Sequence, residues 1–76
     1  MALTADEKAR LKTVLETANG NENNIREGII KALKDVTARE TRNYLWRTLE
    51  REAKKQMRAA KKRAEAGTRP RLVLTA

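Results

Sequence analysis

The chain has 76 residues and carries 18 Lys and Arg against 10 Asp and Glu, with no cysteine and no histidine. A chain this short forms one domain and buries only about 60 to 65% of the surface it exposes when unfolded, and the missing cysteine rules out a disulfide staple or a thiolate zinc site. Without Cys, His or Ser the usual nucleophile and base pairs cannot be assembled, so no catalytic residues, metal site or cofactor are expected.

Thr4-Ala-Asp-Glu7 reads as a capping box, in which the threonine oxygen accepts from an orphan amide and Glu7 reaches back to the Thr4 amide. Leu11, Val14, Leu15 and Ala18 follow at helical spacing, so a first helix is predicted over residues 4–18 with one buried stripe. Asn19-Gly20 ends it, because both residues tolerate the left-handed conformation. The same N-terminal stretch lacks an apolar core, so no signal peptide is expected, and nothing approaches the roughly 20 apolar residues that span a bilayer. The reading is a cytoplasmic protein without membrane attachment.

Asn19–Asn24 is turn material, and a second helix is predicted over residues 22–34. Ile25, Ile29 and Leu33 form its buried stripe, widened by Ile30. Gly28 sits inside it, where glycine costs about 1 kcal/mol relative to alanine. It reads first as a tolerated weak spot and second as a point of close helix packing.

A short link, Lys34-Asp35-Val36, leads to a second capping box, Thr37-Ala-Arg-Glu40, and nothing stops the third helix before Gly67. A helix over residues 37–66 spans about 42 Å, long for so small a protein. Its predicted buried face carries Leu45, Leu49, Ala53, Met57, Ala60 and Ala64 within an arc of about 120°, with Trp46 on the shoulder. Residues 67–76 then leave the helix as an extended basic and apolar tail, since Pro70 bars its return. The organisation is thus an all-α domain over residues 1–66 and a tail over residues 67–76.

Charge is sorted along this plan. Residues 1–36 hold six basic and six acidic side chains, whereas residues 37–76 hold twelve basic and four acidic ones. Arg47, Arg51, Lys54, Lys55, Arg58, Lys61 and Lys62 all fall opposite the apolar stripe of the third helix. A charge run is commonly a solvated face balanced by neighbours at i,i+4, but Glu50, Glu52 and Glu65 are too few to balance this one. The expected function is therefore non-catalytic binding of a polyanion, with duplex DNA favoured and RNA as the second ligand.

Helix, tight link and capped helix also match the plan of a helix-turn-helix, and an ordinary helical hairpin accounts for the same residues. Under the first plan the groove meets Glu40, Asn43, Tyr44 and Arg47. Asn43 and Arg47 are of base-reading type, while plain exposure explains Asn43 and Tyr44 as well. Arg51, Lys54, Lys55, Arg58, Lys61 and Lys62, with Arg69 and Arg71 of the tail, would grip phosphates. The expected role is that of a DNA-binding transcription regulator or architectural protein, and the small core points to a homodimer. A different class of function is an interaction module or inhibitor that docks the basic helix on an acidic face of a larger protein.

Overall fold

The computed structural model describes residues 2–65. Three α-helices dominate: α1 (Ala5–Ala18), α2 (Ile25–Ala32) and α3 (Arg39–Thr75, described as far as residue 65), with a single 3-10 turn at Glu22–Asn24. No strand occurs among the described residues, in keeping with the all-α reading. The extended tail expected over residues 67–76 lies outside them.

The first capping box forms as expected. The Glu7 amide donates to Thr4 Oγ1 and the Thr4 amide donates to Glu7 Oε1, each at 3.2 Å. Glu7 is buried, and its second carboxylate oxygen has no hydrogen-bond partner. At the other end Asn19 (φ 50°) and Gly20 (φ 78°) both adopt left-handed backbone, the conformation that stops a helix by turning its last amides back on it. The Asn19 amide donates to the Leu15 carbonyl, and the Asn24 side-chain amide donates to the Ala18 carbonyl.

The second helix is shorter than its sequence pattern implied. Asn21 Oδ1 accepts from the Asn23 amide at 2.9 Å, an Asx turn that tightens residues 22–24 into 3-10 geometry before α2 begins at Ile25. At the far end α2 stops at Ala32 instead of running to Lys34. A long-range contact is made at that end: the Arg10 guanidinium of α1 donates to the Ala32 carbonyl and to both oxygens of Asp35, at 2.9 and 3.4 Å. An orphan carbonyl is satisfied from another helix, and the ion pair closes the α1–α2 corner.

Six residues, 33–38, separate α2 from α3 where a three-residue link was expected. The Thr37 capping box does not form. Helix α3 starts at Arg39, the Arg42 amide donates to the Ala38 carbonyl, and the Arg42 guanidinium donates from Nε and Nη2 to the Val36 carbonyl at 3.0 and 2.8 Å. A side chain from inside the first turn thus holds the entry, in place of a residue ahead of it.

The core gathers Leu11, Val14 and Ala18 of α1, Ile25, Ile29 and Ala32 of α2, Leu33, and Leu45, Leu49 and Ala53 of α3. Leu3, Leu15, Val36, Trp46 and Met57 pack around it, each only partly buried. Helix α1 meets α2 more extensively than either meets α3. Two expectations fail at the margins of this core. Ile30 is 51% exposed, because it points about 160° away from Gly28, the side of α2 that meets α1. Ala60 and Ala64 are exposed because α1, about 21 Å long, is too short to accompany a helix whose described part runs about 40 Å.

Gly28 also reverses its first reading. A Cβ built on it would lie 2.7 Å from Val14 Cα and 2.7 Å from the Val14 carbonyl oxygen. These are backbone atoms of the facing helix and cannot swing aside, so Gly28 marks the point where α1 and α2 approach too closely for any side chain. Gly28→Ala should therefore destabilise the protein by about 1–3 kcal/mol, instead of adding the usual alanine gain of about 1 kcal/mol. Urea denaturation of the two proteins checks this.

The Arg10 corner yields a second expectation. The Arg10 hydrogen bonds hold the Asp35 carboxyl below the ordinary aspartate range. Its contribution to stability is thus present above about pH 3.9 and is lost as pH falls through the depressed value. Asp35 is largely exposed, so Asp35→Asn should have a small effect at pH 7 that disappears in acid. Arg10→Ala should cost more, about 1–2 kcal/mol, and keep part of that loss in acid, since it also strips the donor from the Ala32 carbonyl. Thermal melts at neutral and acid pH separate the two.

Candidate nucleic-acid interface

Helix α3 presents its apolar side to α1 and α2 through Leu45, Leu49 and Ala53, which fixes its rotation about its own axis. With that rotation fixed, the opposite side is set as well. Arg47, Arg51, Lys54, Lys55, Arg58, Lys61 and Lys62 are all exposed, as the sequence pattern required. From Arg47 to Lys62 the stripe extends about 22 Å along an arc of about 120°.

Compensation along this stripe is slight. Among the described residues, Lys54 is the one member paired with an acid, to Glu50 at 3.7 Å across one helical turn. Glu50 is itself shared, since its other oxygen accepts from Trp46 Nε1 at 3.3 Å. Both ends of the Lys54–Glu50 pair are nearly half exposed, so it adds little to stability. The remaining cations repel one another at i,i+3 and i,i+4 by a few tenths of a kcal/mol per pair.

Beyond the core the sorting by face ends. Ala53 is the last buried residue among those described, Met57 and Ala59 are half-buried, and residues 60–65 are each exposed. Arg63 thereby becomes an accessible cation although a helical wheel places it off the stripe. Sequence reasoning missed it because a wheel assumes that one side is covered along the whole helix. The signal that finds it is the length mismatch between α1 and α3.

At the other end of the stripe a shallow hollow is formed by α3 alone, lined by Glu40, Asn43, Tyr44, Arg47, Thr48 and Arg51. The structure thus brings together the four residues expected to meet a groove and adds Thr48 and Arg51. Tyr44 is 61% exposed. Thr48 Oγ1 donates to the Tyr44 carbonyl at 3.0 Å, so its hydroxyl is committed to the helix backbone. Trp46 is half-buried against the core and plays no part in this surface. Arg69 and Arg71 lie outside the described residues.

No group of three or more His, Cys, Asp or Glu side chains suited to a metal ion occurs among the described residues. No helix among them is long and apolar enough to cross a membrane. Compared with protein-family models, with curated proteins and with solved structures, the chain matches none.

Proposed function

We propose that the protein binds nucleic acid through the exposed cationic face of α3. The observation that carries this reading is the row of seven exposed Lys and Arg side chains of which one, Lys54, has an acidic partner among the described residues. Holding like charges in a row is unfavourable for an isolated helix, and phosphates relieve it by releasing their condensed counterions as the cations engage. The role is one of binding, as in a regulator or an architectural protein, with Arg47, Arg51, Lys54, Lys55, Arg58, Lys61 and Lys62 on the phosphates.

The six-residue link departs from the three- or four-residue turn of a helix-turn-helix. Docking along the flank of α3 suits these residues better than insertion of its first turn alone. The rival reading, an acidic face on a larger protein, draws on the same charge but leaves the exposed Tyr44 and Asn43 unused. A second copy of the chain remains part of the proposal, because the core is small and Ile30 stands exposed beside it.

Salt titration of binding to random duplex DNA tests the reading. Five to eight neutralised phosphates give a slope of log K against log salt of roughly −4 to −7. Replacing Arg58, Lys61 and Lys62 with Glu should abolish binding while leaving the protein folded by circular dichroism, since all three are exposed. A slope near zero rules the mechanism out. Sedimentation of the free protein and of the complex gives the number of copies bound.

A further inference from the structure

We infer that the hollow at the head of the cationic stripe receives an unpaired base, so that the preferred ligand is a single-stranded or looped segment adjoining a phosphate backbone. This rests on the nucleic-acid reading and names the ligand class for the same helix.

Three observations meet there. Tyr44 is one of two aromatic residues in the chain, and it is 61% exposed. An isolated exposed apolar residue is ordinary, but this one shares a hollow with hydrogen-bonding and cationic groups. Thr48, one turn further on, has its hydroxyl turned to the Tyr44 carbonyl and lines the same hollow as the ring. The exposed ring offers a face of the kind on which a base stacks.

Glu40 supplies the second observation. It is exposed, it makes no ion pair among the described residues, and it lies on the same side of α3 as the cations. A carboxylate in a phosphate-binding row works against that row unless it faces something other than phosphate. Base amino and imino groups are such partners, and Asn43 beside it offers both a donor and an acceptor. The third observation is the order along the helix: Arg47 and Arg51 follow the ring on the side where the stripe begins. A base seated on Tyr44 with its edge toward Glu40 and Asn43 would leave its phosphate toward Arg47 and Arg51, in line with the rest of the cationic flank. Bases inside a duplex cannot offer a face to stack on, so the hollow selects an unstacked nucleotide.

The experiment compares a labelled RNA stem-loop with a blunt duplex carrying the same number of phosphates, by fluorescence anisotropy at fixed salt. Tyr44→Ala should weaken stem-loop binding about tenfold and leave duplex binding within about twofold, while Tyr44→Phe stays near wild type. Glu40→Gln gives a crossed result: removal of a negative charge should leave duplex binding equal or tighter, and should weaken stem-loop binding several-fold. Circular dichroism and Trp46 emission verify that each variant is folded. If Tyr44→Ala affects both probes equally or neither, or if Glu40→Gln strengthens both, the inference is overturned while phosphate binding by the stripe stands. If the wild-type protein binds neither probe, the nucleic-acid reading itself fails, and an acidic protein surface becomes the ligand to pursue.

Discussion

The contact between Gly28 and the backbone of Val14 sets the terms for the rest of the molecule. A core of ten buried residues among those described, three of them alanine, offers little apolar area, and it holds only if its walls stand close together. At Gly28 the missing side chain lets α1 and α2 close to backbone contact. Arg10 then fastens the same two helices at the Ala32 carbonyl and Asp35. With that pair made rigid, α3 needs to contribute only Leu45, Leu49 and Ala53 to complete the core, and its remaining circumference is left to charge.

This division explains why most of the interface could be read in the residue order. A helix with apolar residues at 45, 49 and 53 has one covered side, and the rotation that covers them necessarily exposes 47, 51, 54, 55, 58, 61 and 62. The Thr4 box was legible for a similar reason, since both partners lie within one turn. Local periodicity and local capping carry that information within a few residues.

What escaped is what depends on distant parts of the chain. Nothing near Ala32 in the residue order indicates that its carbonyl is taken by Arg10, separated by 22 residues. The Thr37 box had the right residue types, but Arg42 reaches back to Val36 and starts α3 later. Gly28 looked like a weak position because propensity concerns a helix alone, whereas its role appears only against Val14. Ala60 and Ala64 were assigned to the core by spacing, which does not register that α1 and α2 have already ended. The hollow around Tyr44 was half visible: Glu40, Asn43, Tyr44 and Arg47 group by helical spacing, but the exposure of the ring and the turning of the Thr48 hydroxyl are facts of packing.

Because no described residue past Ala53 is buried, exchanges among residues 60–65 alter the surface without burdening the fold. In this chain the outer turns of α3 can drift in composition across generations, or be rewritten at the bench, with the rest of the scaffold indifferent to the change. Inheritance can thus adjust how tightly the protein grips without renegotiating whether it folds.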